Sequence, residues 1–244
     1  MNINIGWLYP DLMNTYGDRG NIIALEYRAK MMGLEPVVNK ISVNESEKLI
    51  SKMDLLFMGG AQDKQQEIVN KDLKKKGLLL KKAISDGVPG LYVCGAYQFL
   101  GKYYKTADGT IIEGLGVFDL YTENPGSDVF RCIGNIIIQS KLFPSIQFVG
   151  FENHGGRTYL ADKKLAFATV IKGFGNNGTD KTEGIYYKNS FGTYLHGPIL
   201  PKNPELTDYL IKKAIERKYG KGVKLEKVDN KWENKARDFV ISKL

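Results

Sequence analysis

Two cysteines and two histidines carry most of the nucleophilic and proton-transfer capacity of this 244-residue chain, and Cys94 stands where such chemistry is easiest to build. It ends the apolar run Leu91-Tyr92-Val93 and is followed directly by Gly95-Ala96. A strand that turns sharply into a helix at such a point leaves the side chain at the mouth of a sheet, as in a nucleophile elbow. The turn aims backbone N–H groups, that of Gly95 among them, at whatever the sulfur attacks, and the start of the following helix favours a thiolate. Taken alone, the same cysteine reads equally well as a small buried hydrophobe.

A thiol nucleophile needs a base, and only His154 and His196 are available. His196 closes the strand-like run Phe191-Gly192-Thr193-Tyr194-Leu195 just before Gly197-Pro198, so in a parallel sheet it shares a rim with Cys94. His154 competes from the polar, glycine-rich string Glu152-Asn153-His154-Gly155-Gly156-Arg157, where it would orient a substrate or simply satisfy loop backbone. The four Cys and His residues are too scattered for a zinc site, and no metal is expected. The Gly59-Gly60 turn offers a second oxyanion N–H opposite that of Gly95, or is an ordinary strand-to-helix turn capped by Asp63. Arg131 presents a guanidinium fork suited to an amino-acid carboxylate, or to a surface ion pair.

The elements that must position these residues are legible in the hydrophobic pattern. Strands are expected over 2–9, 34–41, 54–58 and 88–93. Between them fall helices over 21–32, 44–51 and 62–85, the last broken near Gly77. Strands alternating with helices indicate a mainly parallel sheet covered on both faces, with ligands gathering beyond the carboxyl ends of the strands. After Gly101 the texture becomes mostly β, with strands expected over 116–121, 130–139, 146–151, 165–171, 184–188 and 191–195. The segment Gly173–Gly178 reads as a turn, and its glycines lack the strand-to-helix setting of a dinucleotide fingerprint. A core over 1–200 is expected, followed by a helical, basic extension over 201–244 packed on the same domain.

Composition narrows the function classes. Hydrophobic content of 43% and charged content of 25% are those of a globular protein, not of a disordered or collagen-like chain. No apolar run approaches the ~20 residues that cross a bilayer, the first residues open a strand and not a leader, and a cytoplasmic location is expected. Two cysteines far apart suit a reduced compartment. The net charge of +8 is concentrated in the tail, where 12 Lys or Arg face 7 Asp or Glu from Pro201 onward. Such runs are solvated helix faces or docking surfaces for an anionic partner; no nucleic-acid-binding motif accompanies them.

The strand-Cys94-Gly95-Ala96-Tyr97-Gln98 elbow, the Gly59-Gly60 turn and Tyr194-Leu195-His196-Gly197-Pro198 together resemble class I glutamine amidotransferases of the cobyric acid synthase type. Within that family, Phe151-Glu152-Asn153-His154-Gly155-Gly156-Arg157-Thr158 and Gly192–Pro198 look like the glutaminase subunits of lipid II isoglutaminyl synthase. The resemblance covers nearly the whole chain. It implies a flavodoxin-like α/β fold, hydrolysis of L-glutamine, and a MurT-like Mur ligase partner in a heterodimer that amidates D-glutamate of the peptidoglycan stem. It further implies Cys94 as nucleophile, His196 as base, Gly60 and Gly95 as oxyanion donors, Gln98 in the glutamine pocket and Arg131 on the substrate carboxylate.

One departure stands out: the acidic residue that many class I glutaminases carry two positions after the histidine is here Pro198. The cobyric-acid-type branch shares this lack. Glu152 and Asn153 are the candidates for orienting the imidazole, with His154 a further pocket residue. The chain has no G-x-x-x-x-G-K-[ST] phosphate loop, so no cofactor is expected on it, and ATP and Mg are expected on the partner. Two other readings fit an elbow cysteine on an α/β sheet: a DJ-1-like cysteine protein, or a non-catalytic binding subunit.

Overall fold

The computed structural model describes residues 1–61 and 63–244, with the side chains of residues 63, 64, 66 and 67 left outside the description; the expected Asp63 cap and the helix start at Gln62 fall there. The first part of the chain runs β1 (Asn2–Leu8), α1 (Arg19–Met31), β2 (Glu35–Ile41), β3 (Leu55–Met58), α2 (Asp63–Ser85), β4 (Gly90–Val93) and α3 (Gly95–Phe99). There follow β5 (Tyr103–Lys105), β6 (Ile111–Glu113), β7 (Leu120–Glu123), β8 (Cys132–Gln139), β9 (Gln147–His154), β10 (Arg157–Leu160), β11 (Ala168–Lys172), β12 (Thr182–Glu183), β13 (Ile185–Tyr187) and β14 (Ser190–Thr193). Helices α4 (Pro204–Tyr219) and α5 (Lys231–Ser242) close the chain.

The central sheet has the order β13-β14-β4-β3-β1-β2. Every pairing in it is parallel except that of β13 with β14. The period of two in its strands builds two cores. Leu55, Phe57, Leu91 and Val93 face one side, packed with Ile22, Leu25 and Ala29 of α1 and Leu206, Leu210 and Ile211 of α4. Leu56, Met58 and Tyr92 face the other, against Val69, Leu73, Leu80 and Ile84 of α2. Each such side chain, fully buried, contributes about 1.5–3 kcal/mol. The result is the three-layer α/β arrangement expected. Among the described residues, no helix is long and apolar enough to cross a membrane.

Two smaller four-stranded sheets, β10-β7-β5-β6 and β12-β11-β8-β9, stand beside the central one. Strand β9 reaches it through a bridge in which His196 N–H donates to the Phe151 carbonyl at 2.7 Å and Phe151 N–H to the His196 carbonyl at 3.1 Å. Strands β5, β6 and β10 were not expected, because they are short and sit among glycines and charged residues. Helix α2 does not break at Gly77: a Cβ there would lie 2.6 Å from Cδ2 of Leu115, so the glycine serves close packing on that loop.

The C-terminal helices are tied to α1 by buried charge. The Arg28 guanidinium is fully covered and donates to both oxygens of Asp208 in α4 and to Asn230 Oδ1 at 2.8 Å, while Arg237 of α5 grips Glu205 of α4 with two bonds of 2.6 and 3.0 Å. Such two-pronged pairs fix geometry as well as charge.

Gly192 shows how tightly β14 is set against α3. A Cβ at this position would lie 2.2 Å from a ring carbon of Tyr97. Gly192→Ala should destabilise the fold by about 1–3 kcal/mol, the usual range for an overpacked core, as read from urea denaturation midpoints.

Candidate functional site

Strands β4 and β14 are parallel neighbours paired Val93 to Thr193, so the residues that follow them emerge side by side on one rim. Cys94 leaves β4 with φ 52° and ψ −106°, a conformation that L residues rarely adopt and that functional turns retain at a cost of about 1–3 kcal/mol. Its own N–H is held by the Thr193 carbonyl at 2.8 Å, which locks the turn to the strand that leads to His196. Gly95, the first residue of α3, has an N–H outside the helix's own hydrogen-bond ladder.

His196 is wholly buried, and its Nδ1 lies 3.2 Å from Oδ1 of Asp18, itself wholly buried at the start of α1. A carboxylate only accepts, so Nδ1 carries the proton and Nε2 is the working nitrogen. Burial alone would lower the imidazole pKa. The nearby charge of the Cys94 sulfur, the hydrogen bond to Asp18 and the Asp18 charge together outweigh burial and push it up to about 10. Nε2 has no hydrogen-bond partner among the described residues and is left for the chemistry.

The second oxygen of Asp18 accepts the Gly60 N–H at 2.7 Å. This corrects the expectation that Gly60 is an oxyanion donor. The N–H of Gly60 is engaged by Asp18 and does not point at a reacting carbonyl. What the site requires of Gly60 is its missing side chain, since a Cβ there would sit 2.9 Å from Cε1 of His196 and 3.3 Å from Cβ of Cys94.

Nor do Glu152 and Asn153 orient His196. The Glu152 carboxylate accepts the N–H groups of Phe174 and Gly175 at 2.7 and 2.9 Å, and Asn153 bonds Arg131 and Tyr16. Asp18 does the orienting, and the sequence reading missed it. The available signal was its place: the loop after β1 opens onto the same rim as Cys94.

A pocket of about 240 Å³ lies over the elbow, lined by Cys94, Gln98, Asn124, Arg131, Asn153 and His154 among others. Gln98 donates from Nε2 to the Tyr194 hydroxyl at 3.1 Å, and that hydroxyl meets Thr158 Oγ1 at 2.6 Å. His154 stacks flat on Tyr194 with ring centroids 3.6 Å apart and donates from Nδ1 to the Gly156 carbonyl at 2.7 Å. Burial lowers its pKa, which favours the neutral ring in the pocket wall. The Arg131 guanidinium is exposed at the pocket edge, where its Nε and Nη2 donate to Asn153 Oδ1 at 3.3 and 3.1 Å. Cys132 is buried away from this pocket, and burial pushes its thiol up to about 11, out of nucleophilic range. Among the described residues no three His, Cys, Asp or Glu side chains converge on a metal position.

A parallel sheet with an elbow cysteine and an Asp-held histidine on one rim is the architecture of a glutamine amidotransferase. Two solved structures share the fold. A glutamine amidotransferase crystal structure aligns with a TM-score of 0.59 at 14% identity, over 86% of this chain and 98% of its own. The PurLQS structure from Thermotoga maritima aligns at 0.53 and 13%, over 89% and 99%. The chain belongs to the CobB/CobQ-like glutamine amidotransferase domain family, whose model matches residues 4–204. It is 50% identical over 236 residues to the subunit GatD of the glutamine-hydrolysing lipid II isoglutaminyl synthase of Staphylococcus aureus, covering 96% of this chain and 92% of that one. The GatD subunit of Streptococcus pneumoniae is 42% identical over 223 residues, 91% of this chain and 84% of that one.

Glu183 braces the site from beneath. Its fully buried carboxyl accepts Thr193 Oγ1 at 2.9 Å and Tyr194 N–H at 2.8 Å through one oxygen, while the other has no partner among the described residues. Burial, with a smaller push from Glu152, outweighs those two bonds and raises its pKa to about 8. A folded-state value above the unfolded one means that the folded chain holds a proton which the unfolded chain has lost. Stability from this group is therefore full below the ordinary carboxylate range and declines until pH passes about 8. Melting temperatures of Glu183→Gln should fall less steeply than wild type over that window, leaving the variant the more stable of the two at pH 8.5.

Proposed function

We propose that this chain is the glutaminase half of a lipid II isoglutaminyl synthase. In this reading it hydrolyses L-glutamine and hands ammonia to a MurT-like Mur ligase subunit that binds ATP and Mg and amidates the D-glutamate of lipid II in the cytoplasm. The chain itself needs no cofactor, and residues 201–244 act as part of the same domain. The observation that carries the reading is the buried Asp18-His196 pair beside the strained Cys94 elbow. The names of the relatives from S. aureus and S. pneumoniae support the pathway and the need for a second subunit.

The reaction we infer uses these residues as follows. Arg131 holds the substrate carboxylate and Gln98 lines the channel for its side chain, placing the carboxamide carbon over Cys94. The sulfur bonds to that carbon, and the carbonyl electrons move onto oxygen, where the Gly95 N–H stabilises the charge. As the carbonyl re-forms, the C–N bond breaks and Nε2 of His196 gives its proton to the departing nitrogen, releasing ammonia and leaving a thioester. His196 then takes a proton from water as that water adds to the thioester. Collapse expels the thiolate, yields glutamate and returns the imidazolium.

Ammonia release from glutamine should be abolished in Cys94→Ala, with and without the co-purified ligase-like subunit. Equal release by wild type and variant would remove Cys94 from the reaction. Failure of the competent wild-type complex to release ammonia would favour a binding subunit instead.

Asp18→Asn keeps the size of the side chain and loses the charge that orients and charges His196. Its kcat/KM should fall by about a hundredfold or more. Because removal of the carboxylate lowers the histidine pKa, the alkaline limb of the pH profile should move below the wild-type position near pH 10. An unmoved limb would sever Asp18 from His196.

A further inference from the structure

One corner of the pocket brings two nitrogen donors to a single small space. Gly155 follows β9 without a left-handed φ, so its backbone conformation does not call for glycine. Its surroundings do. A Cβ there would lie 3.1 Å from Arg131 Nη1 and 3.1 Å from Asn124 Nδ2, closer than side chains ordinarily pack. The missing side chain keeps the space between these donors open.

Each donor is aimed by contacts of its own. The Gly126 N–H donates to Asn124 Oδ1 at 3.2 Å, and because a backbone N–H only donates, this contact fixes which end of the amide is nitrogen. Nδ2 makes one long hydrogen bond, 3.4 Å to the Tyr104 hydroxyl, and its second hydrogen remains for a ligand. The Asn124 N–H is held by the Lys105 carbonyl at 2.8 Å, which ties the residue to β5. Arg131 spends Nε and Nη2 on Asn153 Oδ1, along one edge of the guanidinium. Its Nη1 has no hydrogen-bond partner among the described residues. Asn124, Arg131 and Gly155 line the same pocket as Cys94, and no carboxylate is among its described lining residues. The corner is therefore built of donors and offers an anion no competing acid.

We propose that Asn124 Nδ2 and Arg131 Nη1 are the two arms of a carboxylate cradle, kept open by Gly155, and that Asn124 is a specificity determinant for ligands with an α-carboxylate. A carboxylate accepts through both oxygens, so one can meet the guanidinium while the other meets the amide. The two donors are positioned before the ligand arrives, which spares the cost of ordering them. The inference rests on the glutaminase reading for its ligand, L-glutamine, and adds to Arg131 a second donor and the glycine that makes room.

Binding is read on Cys94→Ala, which keeps the pocket and removes turnover, by calorimetric titration with L-glutamine and with γ-aminobutyramide, which is glutamine without its carboxylate. Adding Asn124→Ala should weaken glutamine by about tenfold, the loss expected of one hydrogen bond to a charged group, and change γ-aminobutyramide by less than about twofold. Asn124→Asp has the same size but sets a negative charge beside the carboxylate, and should weaken glutamine further. Gly155→Ala should weaken glutamine selectively too, by filling the cradle. Melting temperatures equal to that of Cys94→Ala show that the fold is intact. Equal weakening of both ligands, or glutamine binding indifferent to Asn124, overturns the cradle. Ammonia release by the chain with Cys94 in place tests the reaction separately: glutamine that binds in the cradle and is not hydrolysed, even with the ligase-like subunit present, overturns the glutaminase and leaves the cradle standing.

Discussion

The site depends on one buried carboxylate that is used twice. Asp18 accepts Gly60 N–H with one oxygen and His196 Nδ1 with the other, which satisfies both of its oxygens without solvent. A buried charge so placed is tolerable only because both contacts are made, and losing either would leave it underpaired. The same contacts explain the departure at Pro198. A Cβ on Gly20, at the start of α1, would lie 2.3 Å from Cγ of Pro198. The position that often carries the acid here buttresses the helix whose first turn supplies it.

That arrangement requires the loop between β1 and α1 to be rigid, and three further contacts make it so. Tyr9 turns the chain out of β1 with φ 52°, and its carbonyl accepts Met13 N–H at 2.8 Å. The Tyr9 hydroxyl donates to Asp72 Oδ2 at 2.9 Å, and Asp72 is also bonded by Lys76 and by Asn44 N–H, all inside the layer formed by α2. At the far end, Asn21 Oδ1 accepts Leu200 N–H at 3.0 Å, bracing α1 against the segment that follows His196. The second and third braces join residues far apart in sequence, so the histidine and its acid are set by tertiary contacts as well as by the local turn at Tyr9.

This division also governs what the sequence could reveal. The rim placement of Cys94 and His196 was legible because parallel strands place their carboxyl ends on one rim, and both residues follow short strand-like runs that end at glycine turns. Asp18 was illegible because an acid before a helix reads as a cap; here the cap is taken by Asn14, whose Oδ1 accepts Arg19 N–H at 2.7 Å, and the carboxylate is left for the site. Glu152 misled because nearness to the His154 string does not fix a face. Along β9, Phe151 bridges His196 by its backbone while the next side chain turns away to Phe174 and Gly175. Gly77 misled in the opposite sense, as a low helix propensity overridden by packing on Leu115.

The charge arrangement also bears on the proposed reaction, in which one histidine would serve first as acid and then as base. Among the influences that raise the His196 pKa to about 10, the leading one is the charge on the Cys94 sulfur. In the proposed reaction a charged sulfur would hold the imidazolium ready to donate to the leaving nitrogen. A thioester carries no such charge, and only Asp18 and the burial that opposes it would then remain. With that charge gone the pKa would drop toward the range in which a neutral imidazole accepts a proton from water. When the thiolate departed its charge would return and favour the imidazolium again. Such a switch needs no movement of the histidine, because the covalent state of its neighbour would set its proton affinity while Asp18 keeps its ring in one tautomer.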